Sequence, residues 1–170
     1  MMVDFKQKFQ NQWEHSNKRE HIARLWLQLF GIEAKPCGFG TLYPDPLQGY
    51  HRNPMEKFDF YVPELKLYFE VTGTYWKKHE SAKRFKKPLL PILKAKVDAA
   101  FYYGLSKRVW FIAVCDCQGE VRLFPCNRAP QYPLGHYAKG EGEYYMIPWD
   151  DWLTPLQAMN RILGRVWEGY

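Results

Sequence analysis

The stretch from residue 57 to residue 72 constrains this chain more than any other. Its second half alternates, with Leu65, Leu67, Phe69 and Val71 on one side and Lys66, Tyr68, Glu70 and Thr72 on the other. That is the period of a strand buried on one face. Pro63-Glu64 interrupts the run, so the pattern predicts strands near 57–62 and 65–72 closed into an antiparallel hairpin. A turn centred on Pro63-Glu64 pairs residue 62 with 65 and residue 59 with 68. Asp59, Tyr68, Glu70 and Thr72 then share a face. Asp59 and Glu70 become diagonal neighbours, about 7–8 Å apart between backbones.

Two carboxylates converging on a rigid hairpin suit a hard divalent cation such as Mg²⁺, which takes oxygen ligands and completes its shell with water and phosphate oxygens. A cation held this way can activate water for phosphodiester hydrolysis. The same register offers an ordinary alternative, because it sets Lys57 opposite Glu70 as a cross-strand ion pair on a solvated face. The hairpin alone leaves both open.

Around it, the pattern predicts a helix over 18–30 ended by Gly31, a short strand near 32–36, and a Gly-, Pro- and aromatic-rich loop over 38–54. Ile22, Ala23, Leu25, Trp26, Leu27, Leu29 and Phe30 cover most of the first helix, so burial on several sides is expected, by the sheet and a partner subunit. After the hairpin come a helix near 91–103, strands near 108–114 and 120–124, a strand near 143–147 and a helix near 154–165. The order predicts an α/β or α+β fold, a mixed sheet flanked by helices. At 170 residues the chain suits a single domain, 1–170.

Charge narrows the partners. Residues 77–96 carry eight Lys and Arg against Glu80 alone, while the rest of the chain holds 16 basic and 17 acidic residues. A near-neutral body with one basic segment predicts a polyanionic partner, since each neutralised phosphate releases counterions; a solvated lysine-rich loop is the alternative. Cys37, Cys115, Cys117 and Cys126 lack paired metal-ligand spacing, and no His-x3-His supports zinc. No apolar stretch approaches the roughly 20 residues of a membrane span, and the N-terminus lacks a signal peptide's apolar region. These features predict a soluble, cytoplasmic protein with no membrane association.

Asp59, ten intervening residues and Glu70-Val71-Thr72 resemble the core of the PD-(D/E)XK nuclease superfamily, in which an Asp on one strand precedes Glu-x-Lys on the next. The order of elements is similar to that of archaeal-type Holliday junction resolvases and covers about residues 18–125. The resemblance implies a restriction-endonuclease-like αβββαβ core, with 127–170 as a C-terminal strand-helix extension. It implies Asp59 and Glu70 as ligands of Mg²⁺ (or Mn²⁺), with the Val71 carbonyl as a third. Glu20, in the first helix, would assist, although Asn17-x-x-Glu20 also reads as a variant capping box.

Two departures are present. Phe58 stands where the motif has Pro, at little cost. Thr72 stands where it has the lysine that orients the attacking water, and Thr carries no positive charge. Some members recruit this lysine from the following helix, where Lys94 and Lys96 flank a stripe of Leu93, Val97 and Ala100. Lys96 is the preferred catalytic residue, because Lys96-Val-Asp-Ala-Ala-Phe-Tyr-Tyr-Gly resembles the Lys-x3-Ala-x4-Gly helices of such proteins. Lys77, Lys78, Lys83, Arg84, Lys86, Lys87 and Lys94 are the expected DNA contacts. Tyr75 and Trp76 are expected to pack or to stack on bases, and His51 and Arg52 are weaker phosphate candidates.

The expected function is that of a Mg²⁺-dependent DNA endonuclease most like a Holliday junction resolvase, acting in DNA recombination as a homodimer. Alternatives are a restriction-type or flap- and strand-end-directed nuclease, and a catalytically inactive DNA-binding protein of the same fold. The Thr72 departure motivates the last.

Overall fold

Val109–Cys115 is buried along its whole length, which marks a central strand covered on both faces. The computed structural model describes residues 18–37, 58–74, 76–116, 119–136 and 142–164, and the fold is built around that strand. In chain order the elements are helix α1 (18–29), β1 (Lys35–Pro36), β2 (Phe60–Val62), β3 (Leu67–Thr74), α2 (Lys78–Phe85), β4 (Ile92–Leu93) and α3 (Lys94–Tyr102). Then follow β5 (Val109–Cys115), β6 (Glu120–Pro125), β7 (Leu134–His136), β8 (Glu143–Tyr145) and α4 (Pro155–Ile162). Single 3-10 stretches occupy Cys126–Gln131 and Trp149–Asp151. His51, Arg52, Lys57, Tyr75 and Cys117, and the loop expected over 38–54, lie outside the described residues.

The main sheet has the order β1-β2-β3-β5-β6. Only β3 and β5 are parallel; they need a crossover, which α2, β4 and α3 supply. This is the expected mixed α and β architecture with helices flanking a mixed sheet. One face packs Phe69, Ile112 and Val114 against Ala23 and Leu27 of α1 and Met159 of α4. The other packs Phe111, Ala113 and Phe124 against Val97 and Ala100 of α3. Each such aromatic or aliphatic side chain contributes about 1.5–3 kcal/mol by leaving water.

The structure corrects the hairpin and the start of the helix expected over 91–103. The hairpin register is shifted by two: Val62 pairs with Leu67 and Phe60 with Phe69. The turn is longer than Pro63-Glu64, running through Lys66, whose φ of 52° is left-handed and whose N–H donates to Pro63 O at 3.3 Å. The basic segment forms a helix, α2, ended by Lys86 at φ 62° and held at its centre by buried Ser81. The Ser81 hydroxyl donates to Leu89 O (3.0 Å) and accepts from Leu89 N–H (2.9 Å). The helix expected over 91–103 starts only at Lys94, because Ile92-Leu93 pairs with β8 in a second sheet of order β4-β8-β7. The strand expected near 143–147 therefore does not extend the main sheet. Within the single chain, α1 buries Ala23 and Leu27 against the core, whereas Leu25 and Leu29 are 46% and 73% exposed.

Described residues beyond 127, among them Ala129, Ile147 and Met159, pack into the same core. Trp149 and Trp152 lie in the cluster with Phe111 and Phe124, and Trp152 Nε1 donates to Leu90 O at 3.0 Å. Thr154 caps α4 by accepting from Gln157 N–H at 3.3 Å, and Pro155 occupies the first turn.

Candidate active site

Asp59 stands where β2 stops and β3 continues. Its backbone N–H donates to Phe69 O (3.1 Å), and its own carbonyl accepts from Cys37 N–H (3.0 Å). Its Oδ2 accepts from Val71 N–H at 2.8 Å, so the carboxylate takes the place of the next acceptor on the ladder. The ladder ends at Phe60 opposite Phe69, and Asp59 stands one residue before it, where its charge acts on Glu70. A shift of two keeps side chains on their original faces, so the shared face of Asp59 and Glu70 is retained. In a strand, one residue's N–H and C=O point to the same edge. The Val71 carbonyl therefore faces the Asp59 side, beyond Phe60, the first residue of β2.

Glu70 is 8% exposed. Its Oε1 lies 3.0 Å from Lys96 Nζ, and its Oε2 is buried without a hydrogen-bond partner. Burial, then the neighbouring Asp59 charge, pushes the Glu70 carboxyl up to about 8, against the pull of Lys96; the charge of Glu20 adds to the rise. Lys96 is driven the other way. Burial disfavours its ammonium, but Glu70 and Asp59 outweigh that cost and hold its pKa above the ordinary lysine value.

Lys94, the alternative, pairs instead with Asp98 at 2.6 Å on the outer side of α3. The two lysines diverge because they are two residues apart on a helix whose buried stripe is Val97 and Ala100. Glu20 is buried on α1, and its field reaches Glu70. Thr72 lies two residues beyond Glu70 on the same strand.

The basic residues are distributed rather than bundled. Lys77, Lys83, Arg84, Lys86 and Lys87 are exposed on or beside α2. Lys78 is paired with Asp150 at 2.7 Å, and the Arg84 guanidinium sits 4.3 Å from the Trp76 ring centroid. Three features carry no sequence signal, because each joins distant segments. The Cys37 thiol donates to Phe58 O (3.2 Å) beside the carboxylates, and burial, then Asp59 and Glu70, pushes it up to about 12. Arg19 clamps Asp116 at 2.7 Å, tying the start of α1 to the end of β5. Tyr144 of β8 comes to line a cleft with Thr72.

A buried carboxylate oxygen without a partner, beside a second carboxylate and an outward-facing carbonyl, fits a divalent cation with oxygen ligands. Asp59, Glu70 and the Val71 carbonyl are the oxygen groups that could hold one. Among the described residues no group of three or more His, Cys, Asp or Glu is arranged to hold a metal. Also among the described residues, no helix is long and apolar enough to cross a membrane.

A family model described as viral/archaeal nuclease matches residues 16–158. The uncharacterized protein D-244 of Sulfolobus spindle-shape virus 1 is 28% identical over 148 residues, covering 76% of this chain; the chain spans 59% of that protein's length. The solved structure of D212, a nuclease from a fusselovirus, is similar in fold, with a TM-score of 0.53 at 17% identity, covering 96% of this chain and 94% of that one.

Proposed function

The chain belongs to the viral/archaeal nuclease family, and on that premise we propose that it is a Mg²⁺-dependent DNA endonuclease with a PD-(D/E)XK-type centre. One observation carries the reading. Lys96, from the crossover helix, holds one oxygen of Glu70 while the other is buried without a partner next to Asp59. A structural ion pair has no use for that second oxygen or for the adjacent carboxylate, and their mutual repulsion costs stability.

Asp59, Glu70 and the Val71 carbonyl hold the cation, with Mn²⁺ able to substitute for Mg²⁺. The cation lowers the pKa of the attacking water and neutralises charge on the phosphate. Lys96 replaces the positive charge missing at Thr72: it holds Glu70 in place, opposes the rise in the Glu70 pKa and brings an ammonium to the attacking water. Glu20 adds negative charge from α1 behind the pair. The exposed cations of α2 bind the flanking phosphates as point charges, sequence-independently. The finer reading is a Holliday junction resolvase acting as a two-fold dimer on a two-fold symmetric substrate; its support is the resemblance of element order.

The test is cleavage of four-way junction, linear duplex, flap and single-stranded DNA with Mg²⁺, Mn²⁺ or a chelator, by wild type and by Asp59→Asn. Cut products that require the cation and vanish in Asp59→Asn support the centre. Binding with no cleavage under any of these conditions overturns it in favour of a DNA-binding protein.

A further inference from the structure

A cleft of about 310 Å³ opens beside the carboxylates, and nothing in the chemistry above uses it. Its floor is the end of β3, where Thr72 and Thr74 follow Glu70 on alternate positions. Two residues of strand advance about 7 Å. The cleft therefore begins within reach of the base of a nucleotide whose phosphate lies at Glu70.

Its walls are Trp76, Leu90, Pro91 and Tyr144, and each segment is held from outside. Trp76 N–H donates to Thr74 Oγ1 at 3.1 Å, and Arg84 stacks against the indole. Leu90 N–H donates to Ile147 O at 2.8 Å, and Leu90 O accepts from Trp152 Nε1. Tyr144 is paired with Leu93 between β4 and β8. The cleft is thus preorganised by two sheets and the start of α2.

Its chemistry is that of a flat heterocycle's complement: aromatic and aliphatic walls, with hydroxyls and strand backbone at the floor. Among the described residues no charged side chain lines it, and the described cations stand outside it, on α2 and at Lys94. Its volume is at the lower end of ordinary small-ligand pockets, ~300–1,000 Å³, and has room for a nucleobase.

We propose that this cleft receives a single unstacked nucleobase beside the cleaved phosphodiester, so that the protein selects DNA carrying an unpaired nucleotide at the cut site. A base already unpaired enters at little cost, whereas one in a duplex must first be extruded. This selection rests on the nuclease reading, which supplies the DNA.

The experiment compares three labelled DNAs in chelator: a fully paired duplex, the same duplex with one bulged adenine, and that duplex with the bulged position abasic. The abasic bulge keeps the backbone distortion and removes only the base. Wild type should bind the adenine bulge about tenfold tighter than either other DNA, the scale of stacking one base on aromatic side chains. Tyr144→Ala should bring the adenine bulge to the abasic level and leave paired-duplex affinity unchanged, and Tyr144→Phe should retain the preference. Equal wild-type affinity for adenine and abasic bulges, with all three DNAs bound, overturns the base cleft and leaves the nuclease reading standing. Absence of binding to every DNA overturns both. The wild-type comparison decides the matter even if Tyr144→Ala does not fold.

Discussion

Lys96 Nζ lies 3.0 Å from Glu70 Oε1, although one residue is on the crossover helix and the other on a strand of the main sheet. The motif's usual lysine position, two residues beyond the glutamate, is Thr72. The ammonium therefore reaches the carboxylate from the crossover helix rather than from the strand, and the expected consequences can be measured.

Lys96→Ala should slow cleavage by about 10²–10⁴-fold, the usual contribution of a positioned proton-transfer or water-orienting group. DNA affinity should change little, since one cation among the many that touch phosphate is minor. Lys94→Ala, whose ammonium is already engaged by Asp98, should keep its single-turnover rate at saturating DNA. Thr72→Lys in the Lys96→Ala background should recover part of the rate, because positions 70 and 72 share a strand face. Full activity in Lys96→Ala would sink the recruited-lysine account.

The Glu70 carboxyl, raised from 4.5 to about 8, links protonation to stability. Between these values the cation-free folded protein binds more protons than the unfolded chain, so its stability falls as pH rises from about 4.5 to about 8 and levels off above. Urea melts of the cation-free protein across this range should show that slope, and Glu70→Gln should flatten it. Adding Mg²⁺ below pH 8 should release protons, read in weakly buffered solution with an indicator dye. No proton release from wild type would place the cation away from Glu70.

Lys83, Lys86 and Lys87 are exposed around the end of α2, whereas Arg84 is turned onto Trp76. Replacing the three lysines with Ala should weaken DNA binding equally for all sequences. The slope of log K against log salt should become shallower by up to about 3, roughly 0.9 for each phosphate that is no longer neutralised. An unchanged slope would mean that α2 faces away from the DNA.

Gly73 sits under Arg19: a Cβ there would meet Arg19 Nε at 2.3 Å. Gly73→Ala should displace the guanidinium from Asp116 and destabilise the protein by about 1 kcal/mol, a typical cost for a disrupted charge-assisted hydrogen bond. In an Arg19→Ala background the same substitution should cost less, and a double-mutant cycle by urea denaturation measures the difference. Equal costs in both backgrounds would show that Arg19 does not dictate the glycine.

The placement of Asp59 and Glu70 on one face was legible because side-chain parity along a strand depends only on counting residues. Even a register misplaced by two preserves it, so the longer turn through Lys66 did not separate the pair. The alternation of Leu67, Phe69 and Val71 likewise foretold the face that packs on α1 and α4. Local chemistry carried the hairpin, the first helix and the crossover helix, whose apolar periods are complete within a dozen residues.

What lay beyond the sequence depends on segments meeting across the fold. The sequence already preferred Lys96 over Lys94, but its contact with Glu70 exists because Val97 and Ala100 set the rotation of α3 against the sheet, a packing that involves partners far along the chain. Tyr144 joins Thr72 in one cleft only because Ile92-Leu93 leaves the helical pattern to pair with β8. Arg19 and Asp116 are 97 residues apart in the chain. No local period encodes such meetings. They are decided by which buried surfaces cover one another, a property of the whole packed chain, so only the tertiary structure could place them.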